Sequence, residues 1–574
     1  MIIAIVACIT IAVANSAYTV LIRPVSQPNL HSNALHILQP SSATPSKKNI
    51  IISNNNSLLH NETDTEEWLT YHHDFFRTGV DPYKNTSNSI SSINEKWTSS
   101  PLDGDIYAEP LVAQSMVFVA TKNNSIYSLD ADTGKVIWRT NLGSPVPLSD
   151  LPCGNIDPTG ITGTPVIDMR TQTIFAVAFL SDTHRHELFA LDIGTGNIRF
   201  ETAVDPPGSD PLVEQQRGAL ALSNYDESTN STGDARTIGD RGGMIVYVPY
   251  GGLYGDCGQY HGWMVGAPIS YVSLGGSGSN NNINNNVTSN SNVNSTGIVT
   301  RGSEETRQQP PPLLSFQVPS IREGGIWAPS GAAIDQKGSI LVATGNGQAS
   351  DNFDYGNSVI KLSSDLGKVV DWFAPSNWAE LDSSDTDLGS VGPSVLSDNN
   401  IISENGKNND NTTDTSEVFQ IGKEGIGYLL NGDKLGGIDG EIFSANVCDK
   451  GAYGGTAYAA PYLYVPCSEG LVALYLQSAD DSNNTIASGS NAYSSFMVKW
   501  TGPSLRLGPP IVADGLVWAI DINKGQLYAF DQSTGGLKFQ EDLGGDVVHF
   551  STPSSSQGQI FVVASNEVLS FSIK

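Results

Sequence analysis

Two short stretches bring together residue types that can do chemistry. VATGN (342–346) ends what reads as an inner strand, and DSSDTDLG (382–389) leads into the unit that follows. Gly345 lets the backbone turn, Asn346 offers an amide oxygen, and Asp385 and Asp387 offer carboxylates. Such oxygens suit a hard cation such as Ca2+, which wants six to eight of them, so two side chains alone would not hold it firmly. The same aspartates also suit turns, where a carboxylate bonds the backbone just ahead of it. If both loops lie on one face of the fold, Asn346 and Asp387 should approach one another.

Three further groupings are candidates. YGDCGQYHGW (254–263) sets Asp256, Cys257, His261 and Trp263 among glycines. His261 suits acid–base or ligand work, or is a satisfied histidine in a disulfide-pinned loop. Trp263 and Trp327 offer flat plates to a planar ring or a sugar, or pack as core. Glu109 and Arg217 could hold a polar ligand near an axis, or pair with each other. Tyr71-His72-His73-Asp74 with Arg77 is the last group. Adjacent histidines point to opposite sides of an extended chain, which argues against a two-histidine metal site, and Arg77 is expected to tether the leader to the body. The chain has no GxSxG, no Walker loop, no CxxC and no CxxCH.

The elements that must position these residues form a repeat. YAEPLVAQSMVFVATKNNSIYSLDADTGKVIW (107–138) reads as four short strands separated by turns, and Trp138 is expected to cap the sheet. One such meander cannot bury its own faces, so neighbours of the same kind are required. The pattern returns at LFALDIGTG (188–196), VIKLSSDLGKVVDW (359–372) and LYAFDQSTG (527–535), and more weakly at 470–474. Units fall at about 106–143, 161–204, 218 onward, 326–374, 389–445, 455–502, 508–544 and 548–573. The last lacks a strand, and INEKW (93–97) supplies it. The expected fold is all-β: an eight-bladed β-propeller of four-stranded antiparallel blades, or seven-bladed if the third unit is not a full blade. Polar tracts at 275–312, 398–417 and 480–488 read as solvent loops inserted in blades.

The address is read from the ends and the cysteines. Residues 1–22 are almost continuously apolar and suit a signal peptide cleaved after Ala17 or an N-terminal membrane anchor. Residues 23–64, rich in Ser, Asn and Pro, read as a disordered stalk, and 65–574 as the propeller. The body is therefore expected outside the cytoplasm, extracellular or at the cell surface. Beyond the leader stand Cys153, Cys257, Cys448 and Cys467, which allow three pairings. Cys448–Cys467 and Cys153–Cys257 are the expected ones. Sequons at Asn85, Asn123, Asn286, Asn294 and Asn411 would be usable in a glycosylating host. A formal charge of -29 argues against nucleic acid as a partner, and against membrane contact other than through the N-terminal segment.

LDADTGKVIW, ALDIGTG and AFDQSTG resemble the repeat of the pyrroloquinoline-quinone (PQQ)-type propellers. That family spans quinoprotein alcohol dehydrogenases, polyvinyl-alcohol dehydrogenases and non-enzymatic outer-membrane assembly propellers. The resemblance covers about 68–574 and speaks for fold more than activity, because the repeat motif is structural. It implies that Asn346 is a calcium ligand and that Asp387 is the base that takes the alcohol proton. LPCGN (151–155) falls where the dehydrogenases carry two adjacent cysteines, and here Cys153 is followed by Gly154. The family's calcium-binding glutamate has only Asp182 or Glu187 as nearby counterparts. With no haem c motif, electrons would leave to a separate acceptor. Two functions follow: a quinoprotein-like oxidoreductase of an alcohol-type substrate using PQQ and Ca2+, or a cofactor-free surface propeller binding a protein or polysaccharide.

Overall fold

In a blade, a strand of alternating or fully apolar residues pairs antiparallel with the next, and each turn is supplied by Asp, Asn or Gly. The computed structural model describes residues 67–82, 90–225, 243–270, 274, 312–348, 352–396, 416–478 and 493–574. The expectations for residues 1–64, for the inserts around 275–311, 398–415 and 480–488, and for Asn85, Asn286, Asn294 and Asn411 fall outside these residues.

Eight sheets form an eight-bladed β-propeller. Blade 1 is Leu111–Ala113, Met116–Ala120, Ser125–Asp130 and Val136–Asn141, in sequential order. Blades 2, 5, 6 and 7 repeat that plan. The third unit is a full blade, enlarged by the two-residue strand Glu214–Gln215, which pairs with Gly243–Gly252 beside Ala221–Tyr225. Blade 4 gains an outer strand, Gly437–Ile438, lent by blade 5 and parallel to Val369–Ala374. The ring closes as the sequence predicts: Ile93–Thr98 pairs antiparallel with Glu567–Ile573, setting Ile93 opposite Ile573. Strands from the two ends of the described body thus meet in one blade and complete its four strands.

Trp138 does not cap its own sheet. It sits on the turn of the next blade, its indole N–H donating to Ile193 O at 2.9 Å. A Cβ on Gly196 would lie 2.5 Å from the indole, so the turn must be glycine. The same docking joins Trp97 to Gly134 and Trp500 to Gly535, where a Cβ would lie 2.4 and 2.6 Å from the rings. The three glycines have φ of +71°, +69° and +69°, which a side chain also disfavours. The Asp-x-x-Thr-Gly repeat is therefore a receptor for the neighbouring blade's tryptophan.

Residues 68–81 line the inside of the ring and meet the inner strands blade by blade. Trp68 exchanges backbone bonds with Val112, Ile167 N donates to Leu69 O, and Thr70 Oγ1 donates to Leu220 O. Ile334 N, Val395 N, Tyr458 N and Val512 N donate to Phe75 O, Phe76 O, Thr78 O and Gly79 O. Ser555 Oγ reaches Asp81 Oδ2 at 2.6 Å in blade 8. Arg77 is wholly buried within this turn, bonding Thr70, Tyr71, Leu220 and Ala332. The arginine is the hub of an internal collar. No helix among the described residues is long and apolar enough to cross a membrane.

Candidate functional site

Loops that follow second strands, and loops that join blades, emerge on one face of a propeller. The second strand of blade 4, Ile340–Ala343, runs out through Thr344 and Gly345 to Asn346. Asp387 immediately precedes the short turn Leu388–Ser390 that opens blade 5. The two residues meet: Asn346 N donates to Asp387 Oδ1 at 2.6 Å. The other carboxylate oxygen lies 2.6 Å from Lys423 Nζ, which also reaches Asp385 Oδ1 at 3.1 Å. Burial pushes Asp387 above the usual aspartate range, against the opposing pull of Lys423 and the Asn346 N–H. Burial also works against the Lys423 charge, but Asp387 and Asp385 outweigh it and its pKa is raised.

Lys423 was not singled out from the sequence. Its signal is positional: GK (422–423) follows the second strand of blade 5 as GN (345–346) follows that of blade 4. The lysine ammonium lies 5.9 Å from the centroid of Trp327. A Cβ at Gly345 would fall 2.5 Å from Asp387 Oδ1 and 3.0 Å from Trp327 Nε1, so this glycine keeps the carboxylate and indole together.

Trp327 lies 6.4 Å, centroid to centroid, from Phe550, which comes from the loop between blades 7 and 8. The Arg217 guanidinium sits 5.4 Å over Phe550 and 5.6 Å over Tyr107. It donates to Thr162 O and His549 O at 2.9 and 3.2 Å. Among the described residues it has no carboxylate partner, and burial draws its pKa down to about 10. Arg506 lies near enough to help lower His549, after burial, and Arg217 adds to the effect. The mouth of the ring therefore has aromatic surface and one cation, Arg217, with no carboxylate partner among the described residues.

Glu109 is not part of this mouth. Its oxygens accept from Trp68 Nε1 and His72 N, each at 2.9 Å, so it anchors the collar and forms no ion pair with Arg217. Burial raises it well above the carboxylate range. Trp263 also stands apart, in the third strand of blade 3 with the core shared by blades 2 and 3. His261 joins its backbone to Glu323, and burial lowers its imidazole. His72 stacks on Tyr71 at 4.3 Å, and burial, aided by Arg77, takes it down to about 3. It stays neutral inside the collar. Arg77 likewise secures the collar from within the ring.

Both expected disulfides form, Cys153–Cys257 and Cys448–Cys467, with Cα separations of 6.2 and 5.3 Å. The first ties the loop between blades 1 and 2 to a loop of blade 3. Near Asn346, its side-chain amide donates to Glu323 Oε2 at 3.2 Å. Among the described residues, the only compact trio of His, Cys, Asp or Glu is Cys448, Cys467 and Glu469, whose cysteines are spent in the disulfide.

Comparison with known proteins bears on the fold. Residues 88–159 match a family model described as outer membrane protein assembly factor BamB. No curated protein matches the chain by sequence. Among solved structures, the quinohemoprotein alcohol dehydrogenase ADHIIG of Pseudomonas putida HK5 is similar at TM-score 0.58 and 12% identity, covering 89% of this chain and 81% of its own. That of Comamonas testosteroni gives 0.57 and 13%, with the same 89% and 81% coverage. A europium-containing methanol dehydrogenase gives 0.57 and 14%, covering 88% of this chain and 98% of that one. The chain is an eight-bladed β-propeller that shares its fold with these dehydrogenases.

Proposed function

We propose that the mouth of the ring binds a planar anionic quinone, and that the protein is an exported oxidoreductase of an alcohol-type substrate. The observation that carries this reading is the buried Asp387, held between Asn346 N and Lys423 Nζ beside the Trp327 face. The residues fit such a group. Trp327 and Phe550 offer aromatic surface, and Arg217 is a buried cation without a carboxylate partner among the described residues. A multiply charged planar anion answers both features. A half-turn of the Asn346 amide would set Oδ1 beside Glu323 Oε2, leaving most of a Ca2+ shell to cofactor and water.

PQQ with Ca2+, when bound, supplies the acceptor for the two electrons of alcohol oxidation. The chain's part is to position groups and to move a proton. Asp387, raised by burial, takes the substrate hydroxyl proton at Oδ2 once that oxygen is shared with substrate. Lys423 holds the carboxylate in place and stabilises its charged form. Electrons pass on to a separate acceptor, since the sequence has no CxxCH. Two disulfides support an oxidising compartment outside the cytoplasm.

A second reading is a cofactor-free surface propeller that binds protein or polysaccharide. It is favoured by Cys153, whose partner is the distant Cys257 and not an adjacent cysteine. Calorimetric titration of the purified protein with PQQ and Ca2+ separates the two. Saturable binding that is lost in Asp387→Ala and weakened in Arg217→Gln supports the oxidoreductase. No binding by the unmutated protein defeats it and leaves the surface-binding reading.

A further inference from the structure

One residue beyond Asn346, at Gly347, a second pair of carboxylates meets the same loop. Asp382 lies in the last turn of the short helix Trp378–Ser383, and Asp354 lies in the loop before Val359–Leu362. One oxygen of each is spoken for. Asp382 Oδ1 accepts from Gly347 N and from Asn357 Nδ2, both at 2.8 Å. Asp354 Oδ1 accepts from Gly356 N at 3.0 Å. The remaining oxygens, Asp382 Oδ2 and Asp354 Oδ2, are buried and have no hydrogen-bond partner in the protein. Asp382 as a whole is only 6% exposed.

The two groups flank one glycine. A Cβ on Gly347 would lie 2.9 Å from both oxygens of Asp354, and Gly347 N is the donor to Asp382. A Cβ on Gly356 would lie 2.9 Å from Asp382 Oδ1 and 2.6 Å from Gly347 N. A side chain at Gly347 would collide with Asp354, and one at Gly356 with Asp382 and the Gly347 backbone. No lysine or arginine among the described residues is ion-paired to Asp354 or Asp382; Lys423 of the mouth is engaged by Asp387 and Asp385. Burial raises both aspartates, and for Asp382 the Asp354 charge adds to the rise.

A buried and a half-buried carboxylate, each with a buried oxygen that has no partner and with no cation paired to it among the described residues, are an incomplete electrostatic arrangement. We propose that Asp354 and Asp382 bind a hard divalent cation, Ca2+ by donor type, at a site separate from the mouth. All available donors are oxygen, with no thiolate or imidazole, which selects against zinc and copper. With two side-chain carboxylates and water completing the shell, affinity should fall in the range of extracellular calcium modules, roughly 10⁻⁴ to 10⁻³ M. The cation would pin the loop carrying Gly347, and so Asn346 beside it, to the helix before Asp387. The site needs no quinone, and its failure would leave the oxidoreductase reading untouched.

Terbium luminescence tests it on the full protein after chelator treatment. Phe353, next to Asp354, packs against Trp372 at 4.4 Å and Trp378 at 5.3 Å, so indole excitation should sensitise a bound Tb3+. The expected result is saturable emission displaced by Ca2+, lost in Asp354→Asn and in Asp382→Asn, and retained in Asp387→Asn. Asp382→Asn keeps an oxygen for Gly347 N, and Asp354→Asn leaves the Asp382 bonds intact, so both should fold; near-ultraviolet circular dichroism checks this. Emission that is absent, that Ca2+ does not displace, or that survives in both folded variants would overturn the proposal.

Discussion

Replacing Lys423 by methionine tests whether Asp387 is held as an ion. The pair is 2.6 Å apart, with side chains 21% and 6% exposed. At an effective dielectric near 20, two unit charges at that distance attract by about 6 kcal/mol before desolvation is subtracted. Breaking a buried pair by removing one partner costs about 3–5 kcal/mol. For roughly 500 residues unfolding together, the unfolding entropy is about 1 kcal/mol/K, so the melting temperature should fall by about 3–5 °C. The loss should depend on pH. Asp387 already has a folded pKa above its unfolded value, so its ionisation costs stability as pH rises through that window. Without the ammonium the folded pKa climbs further and the window widens upward. Lys423→Met should therefore lag the parent more at pH 8 than at pH 5, because without the ammonium the ionisation of Asp387 costs more as pH rises. Lys423→Met with Asp387→Asn should recover most of the loss, because the second change removes the orphaned charge. Scanning fluorimetry at both pH values reads all three variants. A loss below about 1 °C, or one equal at pH 5 and pH 8, would refute the account.

Other perturbations test the turns, the buried acids and the disulfides. Gly535→Ala should cost about 1–3 kcal/mol more than Gly515→Ala, by denaturant or thermal midpoint. Both have φ near +70° (+69° and +75°), but only at Gly535 does a Cβ meet a ring, 2.6 Å from Trp500. Glu214 is buried and burial lifts its carboxyl to about 8, so its contribution to stability declines as pH rises from about 4.5 to 8. Glu214→Gln should thus gain on the parent at pH 8 and not at pH 4.5, by midpoint comparison. Replacing both cysteines of the pair 104 residues apart should cost about 4.7 kcal/mol by loop entropy, against about 3 for the pair 19 apart. The ordering of melting temperatures checks it.

Local pattern was enough for the ring. Strand alternation, the Asp-x-x-Thr-Gly turns and the missing strand of the last unit point to eight blades and their closure, because most blades are built from strands adjacent in sequence and the last is short by the one strand that 93–97 supplies. The two cysteine pairs also followed, the near one from its short loop. Asn346 and Asp387 were legible because they end successive loops of one face. Lys423 was not, since a lone lysine in GKEG has no pattern until the ring brings it to Asp387. Glu109 and Arg217 looked like partners in sequence, yet the collar of residues 68–81 claims Glu109 while Arg217 turns to aromatic faces. Trp138 could not reveal its function within its own blade, because the glycine it covers belongs to the next one. Sequence periodicity reports which face of a strand is buried. Which buried charge meets which partner depends on how eight blades and an internal collar converge on one axis, and only the tertiary structure decides that.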